Sequence, residues 1–224
     1  MSHLFAKNYQ RLARYGLSLA LLLYLCAPVG TVEKINITLD RAKLDRGELQ
    51  TFMYDMKTGA GAIKKRVIGV VVIDAPPGRV WQVLENWEAM AAFVPGLMYY
   101  KVIYRVDPAV SIIEGQVKVA FIKIMYTLKV TFDRVNRAQK WVFVTDDEAD
   151  AFNERGIPVK RASSNIINVE GFEYIEPFGG GSRTIYYYAP VVEATGVPEW
   201  LERLIARRGL EGYMLGVKKR AEGK

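Results

Sequence analysis

Between residues 97 and 189, the apolar side chains of this chain recur at every second position, which is the period of β-strands. The alternation is clearest at residues 126–135, where one face carries Tyr126, Leu128, Val130 and Phe132. The same pattern predicts strands at residues 97–106, 111–124, 126–135, 140–145, 166–175 and 183–189, with a glycine turn at residues 179–181. Strands that follow each other through short connections pair antiparallel, so this region predicts one antiparallel sheet.

Helices are predicted on both sides of these strands. A β-branched run at residues 64–74 predicts a strand that ends at Ala75-Pro76-Pro77, and proline is tolerated in the first turn of the helix that follows. A second short helix at residues 88–93 ends at Val94-Pro95-Gly96, a strong helix breaker. Residues 199–220 predict a long C-terminal helix.

Two other stretches are predicted as connections. Residues 146–163 are polar and predict a long loop, and Pro190 and Pro198 bracket a connector. The resulting order is a strand, two short helices, several antiparallel strands and a long helix. This order predicts an α+β fold in which one twisted antiparallel sheet packs against the C-terminal helix.

Composition excludes several classes of protein. The chain has 224 residues, half of them apolar, which is too apolar for a disordered chain and long enough for a full core. Its formal net charge is +7. Lys7, Arg11 and Arg14 supply +3 within residues 1–30, which contain no acid, so +4 remains for the rest. A net charge of +4 is small for a domain of this size, and we therefore predict no nucleic-acid partner.

The single cysteine and the single histidine exclude further chemistry. Cys26 and His3 both lie within the first 30 residues. The rest of the chain therefore has no disulfide, no Cys/His metal site, no cysteine nucleophile and no Ser-His-Asp triad. The acidic residues 146–150 lack the spacing and turn glycine of an EF-hand loop. We predict no metal, no cofactor and no catalytic residues.

The first 30 residues have the layout of a targeting segment. Three basic residues precede the charge-free apolar stretch at residues 15–29 (YGLSLALLLYLCAPV), which is short for a membrane-spanning helix. Residues 1–30 are therefore predicted to be a signal peptide or an N-terminal membrane anchor. The protein is then expected in the periplasm or at the outer side of the membrane. The alternative is a buried amphipathic helix.

Four short motifs resemble the START-like superfamily, which includes polyketide cyclases/dehydrases, coenzyme Q-binding proteins and lipid-transfer domains. Residues 73–84 (IDAPPGRVWQVL) resemble its strand-to-helix junction, and residues 93–96 (FVPG) the end of its next helix. Residues 171–186 resemble its G-x-W-x-L-x-P … G-G … Y segment, and residues 197–201 (VPEWL) its entry to the last helix. Glu173 stands where that family has an aromatic residue.

The resemblance implies a helix-grip fold, in which a curved antiparallel sheet wraps around the long C-terminal helix and leaves an apolar cavity. The domain is then residues 63–220, preceded by an N-terminal extension or first strand region at residues 31–62. The predicted cavity residues are Tyr126, Phe132, Trp141, Phe143, Glu173, Tyr186, Tyr188, Leu204, Arg208 and Gly212. For the aromatic residues, the alternative is ordinary core packing.

Three further details leave alternatives open. Gly209, Gly212 and Gly216 share one face of the last helix, which indicates either a close backbone approach or room for a ligand. Lys123 and Glu173 form an ion pair if both point inward, and are otherwise turned to solvent. The basic residues 218–220 are either a contact with anionic lipid headgroups or a charged helix end.

These features support three hypotheses about function. The first is non-enzymatic binding or transport of a hydrophobic small molecule, of the lipid, sterol or quinone class, outside the cytoplasm. The second is an enzyme similar to a polyketide cyclase or dehydratase, which a carboxylate–lysine pair in the cavity would favour. The third is a membrane-tethered quinone chaperone. The location of the protein distinguishes these hypotheses, because the second requires a protein in the cytoplasm and the other two an exported or membrane-anchored one.

Overall fold

Eight antiparallel strands form a single curved, unclosed sheet in the order β1-β2-β8-β7-β6-β5-β4-β3. This computed structural model describes residues 32, 34–57, 63–119, 122–163, 166–195 and 199–224. The chain divides into two units, Met1–Thr31 and Val32–Lys224. The predicted targeting segment lies outside the described residues, so it stays a prediction.

The strands are β1 Gln50–Lys57, β2 Ile63–Ile73, β3 Leu97–Asp107, β4 Val110–Val119, β5 Ile122–Asp133, β6 Ala138–Phe143, β7 Ile166–Phe178 and β8 Arg183–Ala194. The α-helices are α1 Arg41–Asp45, α2 Pro77–Glu85, α3 Asp146–Glu154 and α4 Glu199–Ala221. Short 3₁₀ helices span Trp87–Ala92 and Gly179–Gly181. The predicted α+β helix-grip class is confirmed.

Three local predictions are wrong. Residues 111–124 are not one strand, because β4 ends at Val119 and β5 begins at Ile122. Pro190 does not end β8, which continues to Ala194; Pro190 lies beyond Tyr188, the last residue of β8 that pairs with β2. A proline there removes no hydrogen bond to β2.

The third wrong prediction is the loop at residues 146–163, which contains α3. Thr145 caps this helix: its side chain accepts from the Glu148 amide, and the Glu148 carboxylate accepts from the Thr145 amide. This reciprocal pair is a capping box, which satisfies the amide groups that a helix start leaves unpaired. The short T-x-x-E pattern therefore outweighs the polar composition of the segment.

The main core lies between one face of the sheet and the helices α2 and α4. From α4, Leu210, Met214 and Val217 are buried there. Gly69 of β2 makes the close packing feasible, because a Cβ at that position would lie 2.8 Å from the Leu210 methyl carbon Cδ2. We call the face of the sheet toward α4 the inner face.

The outer face carries a second core, which the N-terminal segment of the described chain covers. Ile35, Ile37 and Leu39 are partly buried against it, whereas Asn36 and Thr38 are exposed. Two polar contacts hold this segment, which we call the strap (residues 34–39). Lys34 pairs with Glu176 at 2.7 Å, and the Ile35 amide donates to the Tyr174 hydroxyl at 3.3 Å.

The C-terminal end of α4 is fixed to β2 by charged side chains. The Lys218 ammonium group donates to the Val72 carbonyl and pairs with Glu222 at 2.8 Å. The Asp74 amide donates to the same carboxylate at 3.0 Å. Burial opposes ionisation of Glu222, but the hydrogen bonds outweigh it and lower its pKa to about 2. Lys218 is therefore part of the fold, while Lys219 and Arg220 are exposed.

Candidate functional site

A completely buried carboxyl group lies at the centre of the inner face. Glu173 of β7 is directly opposite Gln139 of β6 on one side and Tyr188 of β8 on the other. Its Oε1 accepts from the Gln139 side-chain amide, and its Oε2 accepts from the Tyr186 hydroxyl. An acid buried away from water needs such partners, because desolvation of a lone carboxylate is costly.

Gln139 has only one possible amide orientation in this network. Its oxygen accepts from the Trp87 indole nitrogen at 3.0 Å, and its nitrogen donates to the Leu84 carbonyl at 3.1 Å. An indole N–H can only donate and a carbonyl can only accept, so the amide is not free to flip. The second amide hydrogen is thereby directed at Glu173.

The surroundings favour the neutral form of the acid. Burial raises the pKa of Glu173 to about 7, although the hydrogen bonds from Tyr186 and Gln139 and the nearby Tyr213 hydroxyl favour the ionised form. Burial likewise raises the pKa of Tyr186 and Tyr213 well above the usual value for tyrosine. The tyrosines therefore stay neutral donors at physiological pH, and Glu173 is the group that titrates.

Aromatic rings surround this polar centre. Tyr188 stacks between Tyr213 of α4, at 4.3 Å between ring centroids, and Trp141 of β6, at 5.8 Å. Trp87 packs edge-on against Tyr100 at 4.8 Å and against Trp141 at 6.0 Å. Such a wall offers flat apolar surface together with hydroxyl groups, which is the usual composition of a small-molecule site.

Gly115 of β4 and Gly171 of β7 make room for aromatic rings of the strands beside them. A Cβ at Gly115 would lie 2.5 Å from the Tyr100 ring and 3.1 Å from the Tyr126 ring. A Cβ at Gly171 would lie 2.5 Å from the Trp141 ring. Because the glycines have no side chain, the three rings can lie directly over these two positions.

The structure brings together most of the residues that the sequence predicts for the site. Tyr126, Phe132, Trp141, Glu173 and Tyr186 are buried in the inner core, and Tyr188 and Phe143 are partly buried against it.

Two of the three predicted positions on α4 lie elsewhere. A Cβ at Gly212 would lie 3.5 Å from the Pro95 ring, and Arg208 is exposed. The side chain of Leu204 lies outside the described part of the chain.

The proposed pair of Lys123 and Glu173 does not form. Lys123 is exposed near the start of β5, and the Glu173 carboxyl group is bonded to Gln139 and Tyr186 instead. The glycine face of α4 has a packing explanation at Gly216, where a Cβ would overlap the Phe93 carbonyl oxygen. The close neighbour is thus the segment after the 3₁₀ helix and not the sheet.

Sequence analysis missed Gln139, Trp87, Tyr100 and Tyr213 as members of the site. Gln139 could have been found from spacing, because residues 139, 141 and 143 share one face of β6. Tyr213 has no comparable pattern, since its role depends on the angle at which α4 crosses the sheet.

The described residues contain neither a candidate metal site nor a candidate membrane-spanning helix. They contain no group of three or more His, Cys, Asp or Glu side chains that could hold a metal ion. Among the same residues, no helix is both long enough and apolar enough to cross a membrane.

Sequence comparison matches this chain to no protein-family model and to no curated protein. Solved structures are similar. A STAR-related lipid transfer protein from Xanthomonas axonopodis has a TM-score of 0.58 at 12% identity, covering 77% of this chain and 93% of its own. The Zhui aromatase/cyclase from Streptomyces sp. R1128 has a TM-score of 0.55 at 12% identity, covering 78% and 94%.

A START superfamily protein from Mycobacterium smegmatis gives the same result, with a TM-score of 0.55 at 14% identity, covering 70% of this chain and 96% of its own. At these identities the likeness concerns the backbone and not the chemistry of the site. The chain has the START-like helix-grip fold.

Proposed function

We propose that this protein binds a hydrophobic small molecule, of the lipid, sterol or quinone class, between the inner face of the sheet and α4. The observation that carries this proposal is the aromatic wall around Glu173. It places one carboxyl group and five tyrosine hydroxyls among apolar rings; the tyrosines are Tyr100, Tyr126, Tyr186, Tyr188 and Tyr213. A core that only stabilises the fold gains nothing from so many polar atoms, because each needs a partner to offset its desolvation. A protein that carries such a molecule needs no covalent step.

Binding would be driven by removal of the ligand from water, at roughly 25 cal/mol for each Å² of apolar surface buried. The entrance is proposed at residues 93–98, where Phe93 and Pro95 contact the glycine face of α4. The loop after α3 contacts both faces of the sheet, because Ala162 packs against the inner core. Thr127 and Glu114, to which the loop after α3 bonds, lie on the outer face.

The location outside the cytoplasm is part of the proposal and rests on the sequence of residues 1–30 alone. The test is a fusion of residues 1–31 to a reporter that folds only after export. Activity of the reporter supports the proposed location. An inactive reporter that remains in the cytoplasm contradicts the proposed location, and the hypothesis of a cytoplasmic enzyme then becomes the stronger one.

Binding can be tested through the tryptophans of the wall. Protein labelled with 5-fluorotryptophan is titrated with a total lipid extract, and the fluorine resonances are assigned with single Trp→Phe variants. We expect the resonances of Trp87 and Trp141 to shift and saturate, with a smaller change at Trp81 of α2. No change at Trp87 or Trp141 at any lipid concentration contradicts the proposal.

The buried acid supports a second candidate, an enzyme similar to a cyclase or dehydratase. Glu173, with a pKa of about 7, could exchange a proton with a bound molecule through Tyr186 and Tyr213. The test compares the molecules recovered from wild type and from Glu173→Gln after incubation with the same extract. Identical molecules support a carrier, whereas a product found only with wild type supports the enzyme.

A further inference from the structure

Two tyrosine hydroxyl hydrogens of the inner core have no protein acceptor in the part of the chain that the structure describes. Tyr186 donates to Glu173, and Tyr213 donates to the Met90 sulfur at 3.5 Å. The Tyr100 and Tyr126 hydroxyls share one hydrogen bond of 3.1 Å, so one of their two hydrogens is left over. Among the residues that the structure describes, the Tyr188 hydroxyl has no hydrogen-bond partner. At least two hydroxyl hydrogens therefore lack an acceptor.

The nearest carboxyl and amide oxygens already take one hydrogen bond each. Both oxygens of Glu173 take hydrogen bonds, and the oxygen of Gln139 takes the one from Trp87. Among the described residues, Arg66 Nε is the one fully buried side-chain polar atom without a partner. The unpartnered Tyr188 hydroxyl is therefore not fully buried, and a ligand atom can reach it.

The tyrosines with spare hydrogens are also the accessible ones. Tyr188 and Tyr100 are partly exposed, whereas Glu173, Gln139 and Tyr186 are completely buried. Tyr188 stacks on Trp141, Trp141 packs against Trp87, and Trp87 packs against Tyr100, so both tyrosines belong to the same aromatic wall. The two spare hydrogens consequently border the same reachable part of the core.

The charges around this part exclude most ionic partners. Within the described chain, no lysine or arginine side chain hydrogen-bonds to or pairs with Glu173 or the five tyrosines. A carboxylate or phosphate placed there would have no counter-ion and would lie near Glu173. An ammonium group could accept neither of the two spare hydrogens. A neutral oxygen acceptor is the group that completes the core.

We infer that the ligand carries a neutral carbonyl-type oxygen, as in a ketone or quinone, which accepts hydrogen bonds from Tyr188 and from the Tyr100–Tyr126 pair while its apolar body lies against the aromatic wall. This inference rests on the proposed function and narrows its ligand class. It disfavours fatty acids, phospholipid headgroups and amines at this position.

The test uses three probes of the same size and shape: 2-acetylnaphthalene, 2-isopropylnaphthalene and 2-naphthoate. Their dissociation constants are measured by calorimetry for wild type, Tyr188→Phe and Tyr100→Phe. Tyr104→Phe is the control, because Tyr104 is exposed on β3. Unfolding midpoints of all four proteins show whether each variant is folded.

We expect the acetyl compound to bind wild type about tenfold more tightly than the isopropyl compound, which corresponds to one good hydrogen bond. Tyr188→Phe should reduce this preference to below about threefold and leave the isopropyl affinity unchanged. Tyr100→Phe should reduce it partly, and the Tyr104→Phe control not at all.

Three outcomes overturn the inference: equal affinity of wild type for the acetyl and isopropyl compounds, tightest binding of 2-naphthoate, or a preference that survives both Tyr188→Phe and Tyr100→Phe. In each of these the naphthalene ring still binds, so the proposed function stands. Failure of wild type to bind any of the three compounds contradicts the proposed function as well.

Discussion

Glu173 makes the stability of this protein depend on pH in an unusual direction. Its pKa is about 7 in the folded protein against a usual value of 4.5, because burial favours the neutral acid. Between these two values the folded state keeps a proton that the unfolded state loses, so the free energy of unfolding falls as pH rises. At 1.36 kcal/mol for each pH unit, the loss amounts to about 3 kcal/mol by pH 7.

Glu173→Gln should remove this dependence. A glutamine amide is uncharged at every pH, its oxygen still accepts from Gln139, and its nitrogen can donate to Tyr186. Denaturant unfolding measured from pH 4.5 to 8 should give a flatter curve for the variant and greater stability than wild type at pH 8. Glu154→Gln, at an exposed position on α3, is the control and should follow wild type. A wild-type curve without the decline contradicts the assigned protonation of Glu173.

At the same scale, single residues of the site were only partly predictable. The alternation of side chains along strands identifies Tyr126, Trp141, Tyr186 and Tyr188, because their direction follows from position alone. Glu173 was identified only because it departs from the family pattern. The pairing of Glu173 with Gln139 depends on the register between β6 and β7, which no single stretch of sequence specifies.

Among the elements, α4 shows how two glycines of one helix differ. A Cβ at Gly216 would overlap the Phe93 carbonyl oxygen, which belongs to the backbone and has little freedom to move. A Cβ at Gly209 would meet nothing within 4 Å. Gly216 is therefore required by packing, whereas Gly209 lowers the stability of the helix without a packing reason.

The matched variants Gly216→Ala and Gly209→Ala should change stability in opposite directions. We expect Gly216→Ala to lower the free energy of unfolding by about 2 kcal/mol, as overpacking does. Gly209→Ala should raise it by about 0.5–1 kcal/mol, because alanine is the better helix former. Both values come from denaturant unfolding. Equal effects of the two substitutions contradict the packing of α4 against the segment after the 3₁₀ helix.

The elements that the sequence predicted well are those with a long regular period. β2 and α4 begin and end within one residue of the predicted bounds. The boundary between β4 and β5 was missed because the sequence between Val119 and Ile122 contains no glycine or proline to mark it. The helix α3 was missed because its polar composition hides a capping box.

For the molecule as a whole, the strap makes the outer face part of the folded unit. Ile35, Ile37 and Leu39 pack against apolar residues of the sheet, so the strap forms part of the second core. Simultaneous replacement of Ile35 and Ile37 by serine should lower the free energy of unfolding by about 2 kcal/mol. The matched control replaces the exposed Asn36 and Thr38 by serine and should leave stability unchanged. Equal stability of the two double variants contradicts the covered outer face.

The overall architecture followed from the order of the elements, since that order leaves few ways to cover one face of an antiparallel sheet. The chemistry of the interior did not follow, because it arises where β6, β7, β8 and α4 meet.

The central claim is that the interior holds a hydrophobic small molecule, and native mass spectrometry of the purified full-length protein tests it most directly. Mild ionisation followed by organic extraction should show one apolar molecule for each chain, and the account predicts that it contains a neutral carbonyl oxygen. An unliganded mass that stays unchanged after incubation with total lipid extract would contradict the claim.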